Sequence, residues 1–173
     1  MQKISSKELL ALYSEGKRNF KAIDLSESDL FEANLEEIDL AGSNLNRIYL
    51  PYSNLSYANL QKTQIQEAQL GDTQLYQVDL SESNLQGSTL SRCNLQYANL
   101  RGANLSYCNL QGADLSNANL TEADLRHTDL SNANLENTKL TNAQLSGCNL
   151  FRAKMANLSD ANCDQTTIGP DGY

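Results

Sequence analysis

At 173 residues the chain has the length of one domain, and no compositional break marks a linker within it. Aromatic residues make up 6%, tryptophan is absent and the mean hydropathy is −0.51, which makes a globular core built on large side chains hard to assemble. The net charge of −8, without basic stripes or Gly-rich phosphate loops, argues against direct nucleic-acid binding, and no stretch approaches the roughly 18 apolar residues of a membrane helix.

The N-terminal segment, residues 1–19, reads as a cap. It has no apolar run long enough for a signal peptide, so a soluble, cytoplasmic protein is expected. Ser5 and Glu8 have capping-box spacing, and Leu9, Leu10, Leu12 and Tyr13 supply apolar surface. Gly16 suits a C-terminal stop, which together predicts a short capping helix.

From residue 20 to residue 155 a five-residue period takes over. Every position divisible by five is apolar: 25 leucines with Phe20, Ile65 and Met155. Two residues before each lies a second column of 27 positions, Ile23 to Ala153, of which 23 are Ala, Ser, Thr or Cys. The position between is Asn or Asp in 19 of the 27, as in Ala98-Asn99-Leu100. Alternation of period two puts the small residue and the leucine on one face of an extended triplet and the Asn or Asp on the other. The two residues that follow have turn chemistry, so the chain must bend every five residues. A helix fails, because five residues advance about 500° and smear the leucines around the cylinder. Coils stacked about 4.8 Å apart pair their peptide groups and set leucine above leucine, and the small residues let opposite walls approach.

This pattern, over roughly Phe20 to Met155, resembles the pentapeptide-repeat proteins. The resemblance implies an all-β fold, a right-handed quadrilateral β-helix with four repeats per coil. Seven coils follow, a rod on the order of 34 Å long. The opening residues Leu9, Leu10, Tyr13, Gly16, Arg18 and Phe20 are similar to those of cyanobacterial members, including a regulator of heterocyst differentiation.

In residues 156–173 the beat slips. Leu158 follows Met155 after three residues, and Ala161/Cys163 and Thr166/Ile168 are expected to resume the period in an irregular closing coil. The ending Ile168-Gly169-Pro170-Asp171-Gly172 also resembles the tail of such cyanobacterial proteins, with Pro and Gly stopping the coil.

No catalytic, cofactor-binding or metal-ligating set emerges, so no enzyme and no cofactor is expected. His127 stands alone at an outward corner. Cys93, Cys108, Cys148 and Cys163 lack ligand spacing and read as small buried thiols, with burial raising the pKa of the first three. The recurrent Asn and Asp suit backbone hydrogen bonding near turns.

Two exterior features remain. Outward residues twenty apart become neighbours in a four-repeat coil, so Tyr57, Tyr76 and Tyr97, with Tyr49 and Tyr52 on the preceding side, form a candidate partner-binding patch. Seven acids, Asp24, Glu27, Asp29, Glu32, Glu36, Glu37 and Asp39, form an acidic belt without a base among them, the secondary candidate. From Leu40 to Met155 nine acids face eight bases. Some pentapeptide-repeat proteins imitate DNA and bind DNA gyrase, but such mimicry needs negative charge along most of the rod. The expected function is therefore a protein-interaction scaffold, monomeric or weakly dimeric, that binds a regulatory protein; gyrase binding is the alternative.

Overall fold

A three-residue triplet is too short for a strand and instead makes a single rung. In the computed structural model, which describes residues 1–154 and 157–172, the middle residue of each triplet from Asn19 to Asn134 forms a parallel bridge to the residue twenty later. The series runs from Asn19 with Asp39, through Asn99 with Asn119, to Asn134 with Lys154. Backbone hydrogen bonds close each rung: Leu100 N–H donates to the Asn119 carbonyl at 2.8 Å and Asn99 N–H to the Val78 carbonyl at 2.9 Å. The result is a β-helix whose coils satisfy one another's peptide groups.

Between rungs the chain reverses through a tight turn, in which Ala98 N–H donates to the Leu95 carbonyl at 3.1 Å. The second residue after each apolar position carries positive φ, the mark of a type II turn. Twenty-two of these residues are not glycine and hold φ between 54° and 62°. Left-handed φ costs such a residue about 1–2 kcal/mol. It is held in place by a rung-like bond to the next coil, as when Tyr97 N–H donates to the Ser116 carbonyl at 3.1 Å.

The interior follows the expected columns. Phe20, Ile65 and every leucine from Leu25 to Leu150 are buried, while Met155 lies outside the described residues. A hydroxyl in such a core needs a partner. Ser53 donates to the Leu30 carbonyl at 2.7 Å, Thr73 to Leu50 at 2.8 Å and Thr128 to Leu105 at 2.7 Å. Among the described residues no buried side-chain nitrogen or oxygen lacks a hydrogen bond.

The front of the stack is closed as the sequence indicates, with one addition and one change. Strand β1 (Gln2–Lys3) pairs in parallel with strand β2 (Ile23–Asp24) and starts the stack. Helix α1 (Ser6–Ser14) follows, with the Ser5 side chain accepting from Glu8 N–H at 3.2 Å. At its end Lys17 N–H donates to the Leu12 carbonyl and Gly16 N–H to that of Tyr13, a Schellman motif. Gly16 holds φ of 93° there, which a side chain would resist. Leu9 is buried and Leu12 and Tyr13 pack on the core, but Leu10 faces solvent. Leu9, Leu12 and Tyr13 share one face at three- and four-residue spacing; Leu10 does not, and Ile4 fills the plug instead.

The back departs from expectation by one residue. Asn162 bridges Gln144 and Ile168 bridges Asn149, so the register shortens to eighteen and then nineteen. The last turn runs from Asp164, whose carbonyl accepts from Thr167 N–H at 3.1 Å, rather than from Cys163. Thr167, not Thr166, then takes the inward small-residue place, its hydroxyl donating to the Leu145 carbonyl at 2.9 Å. Ile168 therefore falls on the outer position and is exposed. Cys163 is also exposed, correcting the expectation of four buried thiols: it ends the stack, and no described rung covers it.

Candidate functional site

The Asn and Asp of the rungs are occupied by the scaffold. The Asp114 carboxylate accepts from Ser116 N–H at 3.0 Å and from the Asn134 amide, one coil on, at 3.1 Å. Burial raises the pKa of Asp79, but hydrogen bonds from Ser81, Gln61 and Asn99 outweigh it and hold the carboxyl below its ordinary value. The inward thiols of Cys93, Cys108 and Cys148 are pushed up to about 12 by burial, which leaves them protonated and unreactive at neutral pH. Cys93 donates to the Leu70 carbonyl, as a serine would. Among the described residues no three His, Cys, Asp or Glu side chains converge to hold a metal, and no helix is long and apolar enough to cross a membrane.

Chemistry must therefore lie on the corners, where side chains stack with a twenty-residue offset. His127 stands at a corner between two neighbours in that column. Its ring stacks on Tyr107 at 4.9 Å, and a Cβ added to Gly147 would overlap it. Beside it is a hollow of about 190 Å³ lined by Gln86, Asn104, Ser106 and the Asp124–Arg126 pair. Arg126 grips Asp124 through two hydrogen bonds, of 2.9 and 2.6 Å, and lowers its pKa.

The five tyrosines resolve into two ring clusters on adjacent corners. Tyr57, Tyr76 and Tyr97 form a ladder with centroids 5.6 and 5.7 Å apart, each pair edge to face. Tyr76 is half-buried in the middle, while Tyr57 and Tyr97 are 48% and 51% exposed. Tyr49 and Tyr52 instead meet Phe31, at 6.2 Å stacked and 5.9 Å edge to face. Phe31 escaped the reading of the sequence, although a twenty-residue offset from Pro51-Tyr52 points to it. Arg92, and beside it the Tyr52 hydroxyl, lower the pKa of Asp72 and tie the second cluster into the scaffold.

The acidic belt is less bare than its sequence, because stacking brings in bases from neighbouring coils. Arg47 pairs with Glu27, and Lys21 with Asp39 at 3.1 Å. Asp24 accepts from Ser26 N–H and Asn44, and Asp29 from Phe31 N–H. Glu32, Glu36 and Glu37 have no ion-pair partner among the described residues. Farther along, Lys62 pairs with Glu82, Arg92 with Asp72 and Arg101 with Glu122.

Comparison with known proteins matches the chain to the family model of pentapeptide repeats over residues 19–47, 43–82, 83–121 and 118–155. No curated protein matches significantly. Among solved structures, it is similar to HetL, a pentapeptide repeat protein involved in heterocyst differentiation regulation from the cyanobacterium Nostoc sp. strain PCC 7120. That alignment has 28% identity, covers 98% of this chain and 99% of the other, and has a TM-score of 0.39. Rfr23 from the cyanobacterium Cyanothece 51142 is 23% identical over 95% and 99% of the chains, with a TM-score of 0.33. QnrB1, a plasmid-mediated fluoroquinolone resistance protein, is 17% identical over 98% and 83%, with a TM-score of 0.44.

Proposed function

The chain belongs to the pentapeptide-repeat family, and from that premise we propose that it is a non-catalytic scaffold that docks a protein partner on the Tyr57–Tyr76–Tyr97 corner. In this reading residues 1–173 form one domain, a right-handed, quadrilateral β-helix of about seven coils, monomeric or weakly dimeric in the cytoplasm. The partner is a regulatory protein of a cyanobacterium-like cell.

The ladder is the observation that supports it. Two tyrosines half open to water, braced by a third between them, present apolar area and hydroxyls at little cost in side-chain freedom. Tyr49, Tyr52 and Phe31 extend the surface around the neighbouring corner. The rival reading, a duplex mimic that binds gyrase, is weakened by the ion pairs that neutralise acids along the rod.

Affinity capture from a cyanobacterial lysate tests the proposal, using wild type beside the Tyr57→Ala/Tyr76→Ala/Tyr97→Ala variant, with folding checked by circular dichroism. A partner retained only by wild type supports the docking corner. Equal capture by both folded proteins removes it and turns attention to the acidic belt.

A further inference from the structure

The tyrosine corner does not end at Tyr57. One coil before it the same corner carries Glu36 and Glu37, and the adjacent corner carries Glu32 beside Phe31. The cap residues stacked ahead of this coil, Lys17 and Arg18, turn their cations onto the rings of Phe20 and Tyr13, at 4.9 and 3.7 Å. They form no ion pair with the three glutamates. Aromatic faces and unpaired carboxylates thus run in one line along the rod.

We propose that this line, the exposed tyrosine ladder continued by Glu36 and Glu37, takes an arginine-bearing, extended segment of a partner protein; the proposal rests on the docking reading above and names the chemistry of its occupant. A guanidinium is the side chain that both stacks on an aromatic face and pairs with a carboxylate through two hydrogen bonds. An apolar or acidic segment would leave the glutamates desolvated or repelled. The chain shows the stacking half of this mode within its own cap: Arg18 lies over the Tyr13 ring while its guanidinium donates to a backbone carbonyl, that of Tyr13, at 2.9 Å. Geometry also suits a short peptide. Glu37 and Tyr97 are three coil steps apart, about 14 Å, the span of about four extended residues. Two arginines four residues apart therefore reach a carboxylate at one end and a ring at the other.

Fluorescence anisotropy tests this with a labelled Gly/Ser peptide carrying two arginines four residues apart, beside versions with lysine or glutamate in their place. The arginine peptide is expected to bind wild type more tightly than the lysine peptide, and the glutamate peptide not at all. Tyr57→Ala/Tyr97→Ala should weaken the arginine peptide by about tenfold or more, the scale of a docking hot spot. Tyr57→Phe/Tyr97→Phe, which keeps the rings, should restore most of the binding. Glu36→Gln/Glu37→Gln should weaken it and flatten its salt dependence. Failure of the arginine peptide to bind overturns the proposal, as does equal binding of the lysine peptide that the tyrosine variants leave unchanged. If the arginine peptide fails while the triple tyrosine variant still loses a captured partner, the docking corner stands and only its arginine chemistry falls.

Discussion

The interior columns and the corners of this rod obey different constraints. Inside, one leucine repeats from coil to coil and every copy is buried. At the corners one stack reads Tyr57, Gln77 and Tyr97, and another reads Tyr107, His127 and Gly147, on the same backbone with the same positive φ. The difference teaches where information is stored. Stacking fixes the interior, because each rung must satisfy and cover the next, while a corner side chain meets few such demands and is free to specify a contact. The two corner stacks differ in turn: His127 lies against Gly147 while it and Tyr107 stay exposed, whereas Tyr57 and Tyr97 hold a half-buried third ring, Tyr76, between them.

Substitutions can break this division, starting inside. Leu100→Ala leaves a cavity between covered coils and is expected to cost about 2–5 kcal/mol in denaturant unfolding. A smaller cost follows at the Gly147 corner. Gly147→Ala forces an alanine into left-handed φ, about 1–2 kcal/mol, and adds overlap with His127. Introducing His127→Ala in the same chain should recover the overlap portion and leave the φ portion, which a double-mutant cycle measures.

Acid sharpens the contrast between paired and open corners. The Asp72 and Asp124 carboxyls are held below their ordinary value chiefly by Arg92 and Arg126. Their folded pKa is depressed, so their contribution is present above about pH 4 and is lost as pH falls below it. Thermal melts should show stability declining below about pH 4, and a shallower decline in Asp72→Asn/Asp124→Asn. The least effect is expected at the open corner: Tyr97→Ala removes one exposed ring pair, about 0.2–1 kcal/mol. A loss as large as that of Leu100→Ala would show that the ladder belongs to the fold rather than to recognition.

Much of this was legible from spacing. The leucine and small-residue columns, the Asn and Asp at the rungs and the cap signals of Ser5 and Gly16 all carry local patterns that tertiary structure respects. Strand β1 was not, because two polar residues have no periodicity and owe their conformation to β2. The slip at Asp164 hides in Thr166-Thr167, where either threonine can serve as the inward small residue. The left-handed corners did leave a trace: nine of the 27 second corner residues from Ala22 to Arg152 are Gly or Asn. At the candidate site, the twenty-residue offset placed Tyr57, Tyr76 and Tyr97 together, whereas the separation of Tyr49 and Tyr52 onto Phe31 depended on how rings lean between corners.

The central claim, that recognition resides on the tyrosine corner, is tested most directly by site-specific photo-crosslinking in cells. A photoreactive phenylalanine analogue is placed at Tyr97 in one variant and at Asn142, exposed on a different corner, in another. A discrete covalent adduct with a second protein from position 97 and none from position 142 is the expected result. Adducts of equal yield from both positions, or from 142 alone, would contradict it.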